Sequence, residues 1–399
     1  MLSLTRRTDV VLEVNLNAVQ TNFQTILDVV GPYVRVAAVV KNDGYGLGII
    51  EVSRALVAAG CDLLFVGDLH EALTLRSSKI DAAVAVFCDE FTRVRQYYRS
   101  NRIIPVVNNC GELDTISASA EPQTYFLNVE TGFSRLGLTF DDVRRRYLCG
   151  TFKRHPPSVV LSHLACSDRV ADAMNVLQKN RLHAISDLLK PAHCSISASA
   201  GVWLGEAFHL DMVRVGSALY GLNNAGIQPN PLQPVVRLRA KILDVRDVPK
   251  GEAVGYGATF RTARASRIAI LGIGYKHGIP WACGGKISVR CAGYSAPLVG
   301  RMSMEYTAVD ITDVPEGLCG PGIFVELLGE NFTLNDLAAA ADVYPPEMLM
   351  RLAAGCSRRY LNVPCATASS CARRYDRGLS GGPARGVPDP SLKRRKGGP

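Results

Sequence analysis

The residue whose position most strongly indicates chemistry is Lys41, which follows a short apolar run and opens a glycine-rich stretch. The run Val36–Val40 predicts a buried strand, and Gly44, Gly46 and Gly48 predict a loop after it. A lysine at such a junction projects above the sheet, where burial or nearby positive charge lowers its pKa and makes the amine a nucleophile toward a carbonyl carbon. Lysines also flank strands as solubilising residues, so segments further along the chain must decide between the two roles.

Two later segments could hold an anion near that lysine. Ser197 ends one apolar run, and the segment Arg214–Ser217 ends another. Gly216 leaves its backbone open to close approach, and a helix that starts at Ser217 would turn free N–H groups toward the anion. A strand-end lysine beside a phosphate cradle indicates pyridoxal 5′-phosphate, bound to Lys41 as a Schiff base.

The elements that must position these residues alternate between strand and helix. Short apolar runs and helix-like stretches such as Ile49–Gly60, Leu69–Ser77, Phe91–Ser100 and Asp168–Lys190 follow one another from residue 11 to about 221. This alternation predicts an α/β fold, and eight strands in that length fit a (β/α)8 TIM-like barrel. An open doubly wound sheet is the alternative, but the glycines after the first run alternate too closely for its dinucleotide-binding turn. The predicted strands are 36–40, 63–67, 83–87, 103–107, 125–129, 159–164, 193–197 and 212–216.

The character of the chain changes after Pro234. Residues 235–367 predict a mostly-β domain, with helical periodicity only from about Leu334. We therefore predict a barrel domain over residues 1–234, a C-terminal β-rich domain over 235–367 and a disordered basic tail over 368–399. The segment Val10–Asn15 also has a strand pattern, and it is a candidate to pair with the later β domain.

The net charge of +9 would indicate a nucleic-acid partner if it were spread over the chain. Residues 373–399 alone hold eight Lys or Arg and two Asp, a net +6. That segment is also rich in Gly and Pro, so we predict a solvated tail and no nucleic-acid partner.

Targeting and cysteine patterns favour a cytoplasmic protein. No apolar run is long enough to span a bilayer, and the first ten residues lack the hydrophobic region of a signal peptide. The twelve cysteines are scattered, without a Cys-x-x-Cys pair or an ordered Cys/His spacing. We therefore predict free thiols and no metal site.

Six segments, in the same order over both predicted domains, resemble the site segments of the alanine racemase family. The likeness covers roughly residues 10–362. It places a cofactor lysine, an arginine, a phosphate-binding turn and a catalytic tyrosine on this chain. The segments are Ala38–Gly46, Asn128–Gly137, Val213–Gly221, Val254–Phe260, Gly272–Tyr275 and Val299–Met304.

The resemblance implies a racemase that interconverts L- and D-alanine, or a related small amino acid, with two bases. Lys41 would hold the cofactor and then serve one face of Cα, while Tyr256 would serve the other. A tyrosine with its ordinary pKa of about 10 is a poor base at neutral pH and needs positive surroundings. The resemblance implies them, because His163 would contact Tyr256 and Arg214 would contact His163.

The resemblance also assigns the remaining contacts. Arg214 would face the pyridine nitrogen of the cofactor, and because arginine only donates hydrogen bonds that nitrogen would be unprotonated. Arg135 would bind the phenolic oxygen of the cofactor and, with Tyr275 and the backbone of Met304, the substrate carboxylate. In that family the tyrosine-bearing domain of one subunit meets the barrel of another, so the resemblance implies a homodimer in which Tyr256, Tyr275 and Met304 would belong to the partner's site. The residues that would hold the phosphate are Tyr45, Ser197, Gly216 and Ser217.

The chain departs from the family pattern at several of these positions. Asn128 replaces a lysine that is often carbamylated and that steadies the arginine, so its amide or a bound anion would have to do so. A phosphate-site tyrosine of the family falls near Pro346, where two prolines alter the backbone. Glu305 follows Met304 where an aspartate is common, and Leu47 and Ile196 replace a histidine and an asparagine. Lys41 and Tyr256, the two proposed bases, match the family pattern. The departures therefore bear on substrate choice and cofactor affinity.

Two other readings stay open from the sequence. A decarboxylase of the same cofactor and fold type needs no second base such as Tyr256, and its pyridine nitrogen normally faces a carboxylate rather than Arg214. A non-catalytic pyridoxal phosphate-binding protein would explain the losses at Asn128 and Pro346, but not the intact Lys41.

Overall fold

The computed structural model describes residues 9–119 and 123–363. The basic tail predicted over residues 368–399 lies outside the described residues. Within them, no helix combines the length and the apolar content that crossing a membrane requires.

Eight parallel strands form the barrel that the alternating pattern predicts. In chain order, β1 (Val10–Asn15) lies in another sheet, and the barrel strands are β2 (Arg35–Val39), β3 (Leu63–Val66), β4 (Ala83–Val86), β5 (Ile103–Val107), β6 (Phe126–Asn128), β7 (Val159–Leu161), β8 (His193–Ser195) and β9 (Met212–Val215). Each strand pairs in parallel with the next, from β2 to β8, and β9 pairs with β2. The backbone N–H of Arg214 donates to the carbonyl of Ser197 at 2.9 Å, which joins β9 to the end of β8 and closes the barrel.

Helices alternate with the strands and cover the outside of the barrel, apart from the short segment Lys41–Tyr45 at its mouth. They are α1 (Leu16–Val30), α2 (Lys41–Tyr45), α3 (Ile49–Ala58), α4 (Leu69–Ser77), α5 (Phe91–Ser100), α6 (Cys110–Ser117), α7 (Phe140–Leu148), α8 (Thr151–Arg154) and α9 (Ala173–Leu189). The last helix begins later than Asp168, the predicted start, because the side chain of Asp172 caps it by accepting from the N–H of Met174.

The barrel strands are apolar on both faces, which explains their continuous apolar runs. Ala37 and Val39 of β2 pack inside the barrel with Phe65 of β3. The alternate residues Val36 and Ala38 point outward into the larger core beneath the helices. Each strand is thereby fixed in register, and its last residue is held at the mouth of the barrel.

The second domain is a mostly antiparallel sheet with two helices. Its elements are β10 (Val236–Val248), β11 (Ala253–Val254), β12 (Phe260–Arg261), β13 (Ser266–Leu271), β14 (Ser288–Cys291), β15 (Tyr294–Val299), β16 (Thr307–Asp310), β17 (Phe324–Leu328), α10 (Leu334–Ala341), α11 (Pro345–Gly355) and β18 (Ser357–Leu361). The strand β1 belongs to this sheet, where it pairs antiparallel with β10 and parallel with β18. The described chain therefore passes through this sheet at β1 before it enters the barrel.

One pair of cysteines departs from the expectation of free thiols. Cys291 at the end of β14 and Cys319 in the loop before β17 form a disulfide, with their Cα atoms 6.4 Å apart. That separation lies in the usual range for a disulfide. Eight other cysteines among the described residues are free.

Candidate active site

Lys41 lies at the mouth of the barrel because the chain leaves β2 through an unusual left-handed turn. Asn42 and Asp43 have φ near +55°, a conformation that Asn and Asp tolerate better than other side chains, and Tyr45 shares it at φ +57°. The turn reverses the chain within a few residues, so that Lys41 and Tyr45 stay close to the end of the strand. A bulky residue held in this region costs on the order of 1–3 kcal/mol, which the surroundings must offset.

Two charged side chains hold the left-handed turn in place. The carboxylate of Glu71 accepts the N–H groups of Asp43 and Gly67, both at 2.8 Å. From the far end of the chain, Arg358 of β18 donates to the carboxylate of Asp43 at 2.6 Å and to the carbonyl of Gly46 at 2.7 Å. These contacts fix the lysine-bearing turn from both domains.

The environment of Lys41 favours a reactive amine. Its side chain is half-buried, and its Nζ lies 5.7 Å from the centre of the Phe87 ring. Burial lowers the pKa of Lys41, the positive charge of Arg135 lowers it further, and Glu71 opposes both. A larger fraction of the amine is therefore neutral than in water, as a nucleophile or a base requires.

Arg214 is a buried cation whose partners are all uncharged. Only 3% of it is exposed; its Nη1 donates to the Ser195 hydroxyl at 2.5 Å and its Nη2 donates to the carbonyl of Ser162. Burial lowers the pKa of Arg214 to about 10. No carboxylate of the described chain lies within ion-pairing distance, which rules out a structural ion pair there. A buried guanidinium left unpaired by protein suits a ligand atom that accepts a hydrogen bond, such as a ring nitrogen.

His163 lies beside this arginine and among other cations. Its ring packs against Phe133, with ring centres 5.3 Å apart, and the guanidinium of Arg135 lies 4.3 Å from the centre of the same Phe133 ring. Burial lowers the pKa of His163 to about 3, and the charges of Arg214, Arg135 and Lys41 add to the effect. The imidazole is therefore neutral at physiological pH.

This histidine should make the stability of the apoprotein depend on pH. Between about pH 3 and 6.5, His163 is protonated in the unfolded chain but neutral in the native protein. The free energy of unfolding therefore falls as pH falls through that window. From about pH 7 to pH 5 we expect a loss near 2 kcal/mol from this group, at a limiting slope of about 1.4 kcal/mol per pH unit. Urea unfolding at several pH values measures it.

The control separates His163 from other titrating groups. His163→Gln should remove this part of the pH dependence, whereas His183→Gln, at an exposed position, should keep it. Equal pH profiles for the two variants would contradict the assignment.

The predicted phosphate turn has a cradle that only glycine allows. A Cβ added at Gly216 would lie 2.4 Å from the hydroxyl oxygen of Tyr45, so glycine is what lets that hydroxyl lie against the backbone. Ser217 begins a 3₁₀ helix, Ser217–Tyr220, as the sequence predicts. Burial raises the pKa of Tyr45 to about 12, so its hydroxyl remains a hydrogen-bond donor at neutral pH. The hydroxyls of Tyr45 and Ser217 are therefore two donors at one turn, and Gly216 leaves the room between them.

Ser197 does not share that surface. Its hydroxyl is fully buried and donates to the carbonyl of Phe208 at 2.8 Å, so the predicted phosphate contact is corrected. The hydroxyl oxygen of Ser199 instead accepts the N–H groups of Gly216 and Ala218, at 3.0 and 3.1 Å. Ser199, two positions further on, is the serine at the turn, and the sequence pattern did not predict it.

Tyr344, two positions before Pro346, is a second residue at the phosphate turn that the sequence did not predict. Its hydroxyl accepts from the side-chain amide of Asn224 at 2.9 Å, and the same amide donates to the Ser217 hydroxyl at 3.1 Å. Pro345 is the first residue of α11, where proline is tolerated because its missing N–H has no helical partner. The prolines therefore leave the tyrosine at the phosphate turn, and Pro346 lies inside the helix.

The second-domain candidates form an exposed group of their own. Tyr256 begins a 3₁₀ helix and is 69% exposed, Tyr275 is 41% exposed and Met304 is 54% exposed. The N–H of Tyr275 donates to the carbonyl of Ser303 at 3.1 Å, which joins two of the three segments. Within the described part of one chain, no hydrogen bond or ring contact links Tyr256 to His163 or Lys41. The structure thus brings together the barrel residues but not the two proposed bases.

Asn128 and Glu305 are two positions where the chain departs from the family pattern, and each side chain contacts another side chain. The amide of Asn128 donates to the side-chain oxygen of Asn108 at 2.8 Å, and among the described residues no hydrogen bond links it to Arg135. Asn108 is anchored in turn by donating to the carbonyls of Phe87 and Val106. Glu305 forms an ion pair with Lys276, the residue after Tyr275.

The donor set of the barrel mouth fits pyridoxal 5′-phosphate. A half-buried amine, a buried arginine with uncharged partners and a turn with several hydroxyl donors match an aldehyde, a ring nitrogen and a phosphate. The arrangement can activate an amino acid at Cα and hold its carboxylate with Arg135.

Comparison with known proteins gives one consistent result over both domains. Residues 14–224 match the family model "Alanine racemase, N-terminal domain", and residues 235–360 match "Alanine racemase, C-terminal domain". The chain is 70% identical over 368 residues to "Alanine racemase 3" of Mesorhizobium japonicum, covering 92% of this chain and 95% of that protein. It is 62% identical to "Alanine racemase, biosynthetic" of the same organism, covering 95% and 96% of the two chains.

A solved structure gives the same fold. The crystal structure of alanine racemase from Bartonella henselae with covalently bound pyridoxal phosphate superposes with a TM-score of 0.81 at 29% identity. The match covers 89% of this chain and 100% of that one.

Proposed function

The chain belongs to the alanine racemase family, and we propose that Lys41 and Tyr256 are the two bases of its reaction. The enzyme is an isomerase that interconverts L- and D-alanine and uses pyridoxal 5′-phosphate. The observation that supports Lys41 most directly is its lowered pKa at the mouth of a barrel whose turn after β9 is rich in donors.

Pyridoxal 5′-phosphate, when bound, draws electrons from the bonds at Cα and so makes the Cα proton removable. Lys41 would hold the aldehyde carbon, and Arg214 would donate to the ring nitrogen without giving up its proton. Tyr45, Gly216 and Ser217 would hold the phosphate, with Ser199 in place of Ser197. His163, neutral and surrounded by cations, would orient the groups around Arg214.

Racemisation needs a proton taken from one face of Cα and a proton returned to the other, which two groups on opposite faces provide. Lys41 would serve one face, and Tyr256 the other. Arg135, whose guanidinium stacks on Phe133, would bind the substrate carboxylate together with Tyr275 and the backbone of Met304. Glu305, neutralised by Lys276, would line the entrance beside them.

A homodimer with shared sites explains why the second-domain residues lie exposed. Tyr256, Tyr275 and Met304 share one domain with two further exposed aromatic residues, Trp281 and Tyr306. Exposed apolar groups of this size usually mark an interface. The domain carrying Tyr256 would therefore cover the barrel mouth of a second copy and complete its site.

The cytoplasm is the compartment we assign, and the biosynthesis of D-amino acids is the role. Eight free cysteines favour a reducing compartment, although Cys291 and Cys319 are paired. The role follows the name of the Mesorhizobium relative that is 62% identical.

Racemisation is tested by incubating the holoenzyme with pure L-alanine and, separately, with pure D-alanine. We expect both reactions to reach equal amounts of the enantiomers, because mirror-image molecules have equal free energies in water. Chiral chromatography follows the ratio, and a panel that includes serine tests the preference for alanine. Release of carbon dioxide would indicate a decarboxylase, and no change in any amino acid would indicate a non-catalytic cofactor-binding protein.

A further inference from the structure

Asn224 lies between the two domains at the phosphate turn and has no role in the site described so far. It follows β9 in the segment that leaves the barrel, and its side chain is half-buried. Its Nδ2 donates to the hydroxyl of Ser217 at 3.1 Å and to the hydroxyl of Tyr344 at 2.9 Å. The barrel turn and the start of α11 are thus joined through one amide.

The direction of these two hydrogen bonds has a chemical consequence. An amide nitrogen can only donate, so both hydroxyl oxygens accept, and each hydroxyl keeps its single proton for another acceptor. Among the described residues, neither the Ser217 nor the Tyr344 hydroxyl donates to a protein acceptor. Two O–H donors at one turn, both free to point the same way, suit an anion.

Neighbouring groups point to the phosphate as that anion. Tyr45 lies at the same turn: its hydroxyl lies against Gly216, its ring packs on Tyr220 at 4.6 Å, and Tyr344 helps to raise its pKa. Burial also raises the pKa of Tyr344. Both tyrosine hydroxyls therefore stay protonated at neutral pH. Each can then donate a hydrogen bond to a dianion and so strengthen its binding.

We propose that Asn224 is a positioning residue that turns the hydroxyls of Ser217 and Tyr344 toward the cofactor phosphate. This inference rests on the proposed function, since it assumes that the turn holds pyridoxal 5′-phosphate. The opposite orientation of the amide would place Oδ1 against both hydroxyls, accept their protons and remove two donors from the phosphate. The Oδ1 of Asn224 is itself buried without a partner among the described residues, so the amide is held by its donor side.

Asn224→Asp imposes the opposite arrangement with almost no change in shape. The carboxylate accepts both hydroxyl protons and adds a negative charge beside the phosphate. We expect affinity of the apoprotein for pyridoxal 5′-phosphate to fall about 100-fold, a loss near 2.7 kcal/mol. Asn224→Ala leaves the hydroxyls free to rotate, and we expect a loss of about 10-fold.

Pyridoxal, which has the same aldehyde and ring without the phosphate, is the comparison ligand. Its affinity for both variants should stay within about 2-fold of the unmodified protein, because Lys41 and Arg214 are untouched. Asn223→Asp adds the same charge one residue away, where the side chain bonds to Ile227 alone among the described residues, and should cost less than Asn224→Asp. Fluorescence titration of the apoprotein measures all these affinities.

A double-mutant cycle with Tyr344→Phe tests whether Asn224 acts through that hydroxyl. If it does, Asn224→Ala weakens phosphate-dependent binding less in the Tyr344→Phe background than alone. Equal loss of pyridoxal and pyridoxal 5′-phosphate binding, or unchanged binding in Asn224→Asp, would overturn the inference. Failure of the unmodified protein to bind either ligand would instead overturn the proposed function.

Discussion

Lys41→Ala is expected to lower the kcat for L-alanine racemisation by at least about 10⁴-fold, the upper range for losing a positioned acid–base group. The residue sits at the end of β2 on a turn held by Glu71 and Arg358, and its pKa is already lowered toward reactivity. The variant loses both the amine that holds the cofactor and one of the two bases. Chiral chromatography measures the rate in each direction.

Covalent attachment gives a second measurement for the same variant. Borohydride treatment followed by peptide mass spectrometry should find the cofactor on Lys41 in the unmodified enzyme and none on that peptide in Lys41→Ala. The control is Lys153→Ala, which removes an exposed lysine of α8 and should leave rate and attachment unchanged. Racemisation by Lys41→Ala at a rate near that of the control would refute the role of this lysine.

Tyr256→Phe is expected to lower racemisation by about 10²- to 10⁴-fold while leaving half of the chemistry intact. If Lys41 serves one face of Cα alone, the variant should still exchange the Cα hydrogen of one enantiomer with solvent deuterium. Exchange of the other enantiomer should be lost with the phenol. Proton NMR of L- and D-alanine in heavy water measures the two exchange rates.

The matched control is Tyr294→Phe, which removes the hydroxyl of another exposed tyrosine in the same domain. It should retain both racemisation and both exchange reactions. Loss of exchange for both enantiomers in Tyr256→Phe, or for neither, contradicts the assignment of one base to each face.

The two variants together also test the shared site. In a mixed dimer of Lys41→Ala and Tyr256→Phe chains, one of the two sites has both bases only if Tyr256 reaches the partner's barrel. Refolding the two inactive variants together should therefore restore activity, up to a quarter of that of the unmodified enzyme for random pairing. No recovery, with dimers present by sedimentation, would place both bases in one chain.

Much of the barrel could be predicted because its strands are buried on both faces. The eight apolar runs stand out against polar connections, and each observed strand lies within a predicted run or starts one residue earlier. Lys41 and Arg214 could be recognised because each directly follows or occupies such a strand, so the end of the run fixes its place at the barrel mouth. The position of these residues follows from local pattern.

The contacts that the sequence did not reveal depend on distant residues or on irregular backbone. Ser197 and Ser199 lie beyond the end of β8, where the alternation of strand side chains no longer indicates which hydroxyl faces the turn. The hydrogen bond from Asn224 to Tyr344 joins residues 120 positions apart, which no local pattern indicates. Pro345 predicted an altered backbone at that point, so the tyrosine before it was not assigned to the phosphate turn. Tyr256 is exposed within the described chain, and a base supplied by a second copy leaves no local pattern that would bring it to the barrel.

The place of β1 in the second sheet has a consequence for synthesis of the chain. Its partners are β10, which follows more than 200 residues later, and β18, whose residue Ser357 pairs with Val11. At about 5–20 residues per second, the first strand leaves the ribosome roughly 17–70 seconds before its last partner. Both of its hydrogen-bonding edges are open to other chains until β10 follows, and one edge stays open until β18 follows. A barrel fragment cut at residue 234 would keep this strand with neither partner, so the two domains are not separable by a single cut.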